Sequence, residues 1–340
     1  MRLAQLTRSH EWWDHKTPQV LSLAYATALV ESSSLYNLLA PGFLTIFASL
    51  IVMAIYASII NDFTDLEIDL ACGKSNMMQR LSPTSRLLLV FLSLGCVFTA
   101  AFIIYPNIYA VVFYLLIILS ISLYSFRPVR LKNRGIWGVI SCSSAEHLFP
   151  TLFSIAVIAG FSDSKIDILW LCSAGSLSLM YGLRSILWHQ FLDRENDIQS
   201  AVNTFATTTP PKSFKGGPFL ILIELVALAA VLFQMKLILP IVFLLIYLLY
   251  IQLRRLLFHS KIIIIISPEN EHFQILMLDY YTMFFPISLL ICAALKQPLA
   301  WIVLVIHVVL FYKMLLITLK EGLYLLKLLF NKIWYRLSNY

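Results

Sequence analysis

The sequence predicts an all-α integral membrane bundle of about nine to ten transmembrane helices, with pseudo-repeated four-helix units around a central cavity. Three observations carry this. Of the 340 residues, 60% are hydrophobic and only 13% charged, against roughly 45–50% and about 25% in soluble domains. Ten apolar runs approach the roughly 20 residues that a helix needs to cross the hydrocarbon core. An acidic pattern recurs from Asp65 to Asp193, at one offset along the chain, as a duplicated unit requires.

The runs cover Thr17–Leu39, Phe43–Ile60, Leu87–Tyr105, Ile108–Phe126, Gly135–Gly160, Ile166–Leu192, Phe219–Gln234, Leu237–Leu253, Phe273–Leu295 and Leu299–Leu319. Pro41-Gly42 and Pro106-Asn107 predict tight turns between antiparallel neighbours. Residues 1–16 read as a cytoplasmic interfacial N-terminus without a signal-peptide pattern. Residues 17–320 form the membrane domain, and 321–340, Leu-rich with Lys327, Lys332 and Arg336, an amphipathic tail on the membrane surface. Ser260–His272 is too short to span and has no assigned place. Five scattered cysteines without CxxC spacing argue against a zinc site or a disulfide framework.

The net charge of +7 is topological. Placing the N-terminus in the cytoplasm puts 21 of the 25 Lys and Arg residues in connections on that side, leaves Lys165, Lys236 and Lys296 opposite, and sets Arg184 inside a span. The positive-inside rule then orients both termini and the loops beside the acidic segments to the cytoplasm. In a bacterium this is the inner membrane. Membrane lipid is the expected surrounding, and nucleic acid is not an expected partner.

Charged groups within a membrane helix each cost on the order of 2.5–3.5 kcal/mol, so clusters face a cavity or a ligand. Two nine-residue segments hold seven of the eighteen acidic residues: Asn61 to Asp69 at the end of the second span, and His189 to Asp197 at the end of the sixth. At 100° per residue, Asn61, Asp62, Asp65 and Asp69 share one face, as do His189, Gln190, Asp193 and Asp197, while Glu67 and Glu195 point away. Facing carboxylates repel unless cations lie between them. Donors that are all oxygen favour Mg²⁺, which takes one or two carboxylates, several waters and phosphate oxygens. A diphosphate is the expected ligand, with Lys74, Arg80, Arg127, Arg130, Lys132 and Arg134 in the following loops to complement it.

These residues resemble the UbiA superfamily of intramembrane prenyltransferases. The resemblance rests on NDxxDxxxD at Asn61, Asp62, Asp65 and Asp69, on DxExD at Asp193, Glu195 and Asp197, and on YSxxPxRLK from Tyr124 to Lys132. Gln190 stands where a fuller second motif has Asp. The resemblance implies Mg²⁺-dependent transfer of a prenyl group from a polyprenyl diphosphate to an unidentified acceptor. It assigns Asp62, Asp65, Asp69, Asp193 and Asp197 to Mg²⁺, Asn61 and Gln190 to phosphate or metal-bound water, and Lys74, Arg80, Arg130 and Lys132 to diphosphate. Tyr124 is expected beside the reacting head group. Glu146-His147, mid-span, either bind or deprotonate an acceptor or make a mutual or interhelical hydrogen bond; His189 can serve similarly. Arg184 is expected to pair between helices. The same ionisation would also serve a terpene cyclase. A transporter fits less well, because its sites usually lie near the bilayer midplane and both acidic segments lie at helix ends.

Overall fold

The computed structural model describes residues 12–31, 35–73, 75–162, 164–199 and 202–338; Lys74 lies outside them. The chain is almost wholly helical. Helix α1 is Thr17–Val30, α2 Leu35–Ala71, α3 Pro83–Ile104 and α4 Ile108–Ser125. Helix α5 spans Ile136–Ser162 with a π-helical turn at Ser144–Leu148, and α6 is Ile168–Leu192. The short α7 (Arg194–Gln199) and α8 (Phe205–Thr208) lead to α9 (Gly217–Met235) and α10 (Ile238–Phe258). Two three-residue strands, β1 (Lys261–Ile263) and β2 (Phe273–Ile275), pair in parallel. Helices α11 (Tyr280–Lys296), α12 (Trp301–Leu310) and α13 (Tyr312–Ser338) complete the chain.

Among the described residues six helices are long and apolar enough to cross a membrane, and up to seven if the bent pair α12–α13 counts as one span. The expected nine to ten are not reached on that measure. α1 and α11 are short, and Ser173, Ser176, Ser178, Arg184 and His189 dilute the apolar character of α6. Boundaries also differ from expectation. Pro41-Gly42 is no turn: α2 runs through Pro41 as one 37-residue helix. Gly42 instead permits a close helix crossing, because a Cβ there would lie 2.5 Å from Ile158 Cδ1. The Pro106-Asn107 turn does form, and Asn107 Oδ1 caps α4 by accepting from the Ala110 N–H at 3.1 Å.

Helix α5 is the most enclosed of the six candidates and α10 the least, with 67% and 17% of their apolar windows buried. Buried polar groups join the central helices. Gln19 Nε2 on α1 donates to Ser178 Oγ on α6 at 2.9 Å, its Oε1 meets His147 Nδ1 of α5 at 3.1 Å, and Trp170 Nε1 donates to Thr27 Oγ1 at 3.0 Å. Arg184, expected to pair between helices, donates to both oxygens of Glu224 on α9 at 2.6 and 2.7 Å. The same guanidinium donates to the carbonyls of Ile264 and Leu276, both at 3.0 Å. It thereby ties down the strap from His259 to Asp279 that contains β1 and β2. Trp188 Nε1, bonded to Ser267 Oγ at 2.9 Å, fixes the strap beside the C-terminal end of α6.

The amphipathic tail, expected from Glu321, begins at Tyr312, where the chain bends by 80° after α12. The boundary at 320 falls inside a continuous helix. Glu321 anchors this helix by accepting from Tyr250 Oη at 2.6 Å and pairing with Arg254 at 3.0 Å.

Candidate active site

The first acidic segment continues α2 for more than two turns, which carries Asn61, Asp62, Asp65 and Asp69 on one rigid rod. Asp62 and Asp65 are buried, at 7% and 8% exposure, whereas Glu67 is exposed. Asp65 Oδ1 accepts from Arg130 Nη2 at 2.8 Å and from Lys132 Nζ. Arg130 Nη1 reaches the neighbouring Thr64 carbonyl at 3.3 Å. Burial lowers the pKa of the Lys132 ammonium from the ordinary lysine value, against the pull of Asp65 and Asp69.

The turn that delivers these cations is strained. Arg130 has φ +39°, a left-handed conformation, which costs a non-glycine residue roughly 1–2 kcal/mol; such backbone clusters at functional sites. Two tethers hold it: the Arg130 N–H donates to the Phe126 carbonyl at 2.7 Å, and Gly138 admits the turn, a Cβ there lying 2.8 Å from the Leu131 carbonyl oxygen.

The second segment is not continuous helix. Asp193 caps α6 and is exposed, and Asp197 follows on α7, accepting from Thr204 Oγ1 at 3.2 Å. Thr204 also bridges to Gly135, whose N–H donates to the Asn203 carbonyl at 3.3 Å. The loop beyond the second acidic segment is thus pinned to the end of the basic turn that clamps the first. Tyr124, at the end of α4, lines the cavity together with Glu146 and Asn61. Gln190 is buried with Oε1 unpartnered, His189 is exposed, and Arg80 is exposed at the end of the 3₁₀ turn Met77–Arg80.

Above this mouth lies a cavity of about 270 Å³, walled by α1, α2, α4 and α5. Its lining is largely apolar, with Asn61, Tyr124, Lys16 and Glu146 among the polar exceptions. The π-turn in α5 separates the Glu146-His147 pair. Glu146 faces the cavity and pairs with Lys16 at 2.5 Å, while His147 is fully buried and bonded to Gln19. Of the two expectations for His147, the structure displays the interhelical hydrogen bond, to Gln19, and His147 is not among the residues that line the cavity.

The five carboxylates assigned to Mg²⁺ are distributed over both acidic segments, α2 and the α6–α7 junction. Among the described residues no three Asp, Glu, His or Cys side chains close around one point. Asp65 is engaged by Arg130 and Lys132, Asp69 Oδ2 by Asn76 Nδ2 at 2.8 Å, and Asp193 is exposed. An oxygen-only donor set of this kind, with buried Asp62 and Asp65 beside two cations, fits Mg²⁺ held jointly with phosphate oxygens and not a protein-only cage. Two positioning residues were missed by sequence reasoning, Asn76 and Thr204. Asn76, which also donates to the Asp62 carbonyl at 2.8 Å, folds the following loop back onto the first segment.

A model of the UbiA prenyltransferase family matches residues 20–262, from α1 to β1. The chain belongs to this family. Its fold is also that of a UbiA homolog from Archaeoglobus fulgidus, solved bound to DMAPP and Mg²⁺: the TM-score is 0.57 at 15% identity, covering 88% of this chain and 98% of that one. The same homolog bound to GPP and Mg²⁺ gives 0.55 at 16% identity, with the same coverage. No curated protein matches. As a UbiA family member the protein is an integral membrane protein, and both acidic segments, on α2 and α6–α7, lie within the matched residues.

Proposed function

We propose that the protein transfers a prenyl group from a polyprenyl diphosphate to an acceptor within the membrane, with Mg²⁺ as cofactor. The observation that carries this is the joining of Asp65, Arg130 and Lys132 with the loop of Asp197 at the mouth of an apolar cavity. The DMAPP- and GPP-bound states of the Archaeoglobus homolog support a prenyl diphosphate donor.

In this reading Asp62, Asp65, Asp69, Asp193 and Asp197 hold Mg²⁺ together with the diphosphate, and Asn61 and Gln190 hydrogen-bond phosphate or metal-bound water. Lys74, Arg80, Arg130 and Lys132 bind the diphosphate itself. Bound Mg²⁺ supplies Lewis-acid stabilisation of the departing diphosphate. Arg130 and Lys132 add preorganised positive charge at the same place, in a site where few solvent dipoles compete. The allylic C–O bond breaks with both electrons leaving on oxygen. The Tyr124 ring offers a π-face to the resulting cation, worth about 0.5–2 kcal/mol, and the apolar walls withhold water until the acceptor attacks. Glu146 and His189 lie on the acceptor's side.

Transfer is favoured over cyclisation by the Lys16–Glu146 pair, which sets polar groups in the cavity wall where a folding hydrocarbon needs none. The test is incubation of the protein in lipid nanodiscs with geranyl diphosphate and Mg²⁺. Diphosphate release should be abolished by EDTA and fall at least about 100-fold in Asp65→Asn and Asp193→Asn. Wild-type rates in both variants would overturn the site assignment, and a hydrocarbon or terpene alcohol formed without acceptor would favour cyclisation.

A further inference from the structure

The acceptor side of the cavity has its own chemistry, and the inference drawn from it rests on the prenyl-transfer reading above. Lys16 and Glu146 are the charged residues in the cavity wall. They face each other at 2.5 Å, so their formal charges cancel. A carboxylate-bearing acceptor would have to compete with Glu146 for Lys16, leaving two anions to share one cation in a largely apolar wall, which like-charge repulsion opposes. The pair therefore selects against anionic acceptors.

Glu146 has acceptor capacity left over. Oε1 receives the Lys16 ammonium, while Oε2 is buried without a hydrogen-bond partner. The side chain beside it is the Cys142 thiol, a weak donor, four residues earlier on the same helix. A buried carboxylate oxygen of this kind calls for a donor, and in a ligand cavity the ligand supplies it. The backbone is arranged to the same end. The π-turn Ser144–Leu148 turns Glu146 to the cavity and His147 to the core, and such turns concentrate at functional sites. Tyr124 and Asn61, of the first acidic segment, line the same cavity as Glu146, so the acceptor and donor ends of the reaction share one chamber.

We infer that the acceptor is an uncharged hydroxyl compound whose O–H is bound by Glu146 Oε2, with Glu146 taking its proton as the new bond forms. The step balances without a further reagent. The allylic C–O bond breaks and diphosphate leaves with its electron pair; an oxygen lone pair of the acceptor forms the new C–O bond; the hydroxyl proton passes to the Glu146 carboxylate. Lys16 is a positioning residue that orients Glu146.

The probes are hydroquinone and 4-hydroxybenzoate, two phenols of similar size that differ in a carboxylate, tested on the full chain in nanodiscs with geranyl diphosphate and Mg²⁺. Binding is read by tryptophan fluorescence, since Trp12 lines the cavity, and product by mass spectrometry. The wild type should bind hydroquinone at least about tenfold tighter and prenylate it. Glu146→Gln should lower that prenylation about 100-fold and should also reverse the binding preference, because the carboxylate opposite Lys16 is gone. A merely structural role for Glu146 would not reverse the preference. Wild-type preference for 4-hydroxybenzoate, an unchanged preference in Glu146→Gln, or diphosphate release without prenylated hydroquinone would each overturn the acceptor assignment and leave donor ionisation standing. Absence of diphosphate release altogether would instead remove the prenyl-transfer reading beneath it.

Discussion

Gly182 shows how little space separates the helices around the site. A Cβ there would stand 2.9 Å from His147 Cδ2 and 2.9 Å from Ser143 Oγ, at the start of the π-turn. Gly182→Ala must push α6 away from α5, and overpacking of this kind costs about 1–3 kcal/mol; a lower melting temperature in detergent is the expected outcome. Arg130 tests the opposite kind of constraint. Its two nitrogens serve Asp65 and the Thr64 carbonyl at once, which a lysine ammonium reproduces poorly because it lacks the planar fork. Arg130→Lys should retain the fold and lower diphosphate release by roughly tenfold, one hydrogen bond to a charged group being worth about 1.5–3 kcal/mol. At this scale the sequence was informative wherever charge was at stake. Asp62, Asp65 and Arg130 stand out in an apolar chain because burying them is expensive. Asn76 and Thr204, neutral and solitary, carry no such mark, and their function comes from loops whose return path only the fold reveals.

The elements differ in legibility for a similar reason. Long apolar runs identified α3, α4, α9 and α10, since hydrocarbon-spanning length is a strong requirement. The π-turn in α5 was invisible, because one extra residue in a helical turn leaves the apolar pattern intact. The strap at His259–Asp279 was unplaced because its partners are distant in sequence: Arg184 holds two of its carbonyls and Trp188 its Ser267. The Arg184–Glu224 pair is buried, with side-chain exposures of 2% and 0%. Glu224→Leu leaves a buried cation with fewer partners and should destabilise the protein by roughly 3–5 kcal/mol. The strap should also become accessible to limited proteolysis between residues 259 and 279. A melting curve and cleavage pattern like the wild type would show that the strap is held by its apolar contacts alone.

At the scale of the molecule, the site lies at one end of a bundle whose orientation the basic loops predict. Cys72 is exposed one residue past the end of α2. It should therefore react with a membrane-impermeant maleimide from the cytoplasmic side and stay unmodified from the other; the reverse pattern would invert the topology. The break at Phe311 bears on the bilayer itself. Helix α12 and the 3₁₀ turn that opens it run from Pro298 to Leu310, about 20 Å of rise, against a hydrocarbon core of about 30 Å. Beyond it α13 departs at 80° with Leu316, Ile317, Leu319 and Leu323 exposed. Along this flank the protein offers lipid a wall shorter than the hydrocarbon core, so the leaflet must dip to meet a shallow apolar shelf. Such hydrophobic mismatch costs fractions of a kcal/mol per Å. The protein should accordingly melt at a higher temperature in vesicles of 14-carbon acyl chains than in those of 22-carbon chains, which makes membrane thickness itself a selector of where this protein is stable.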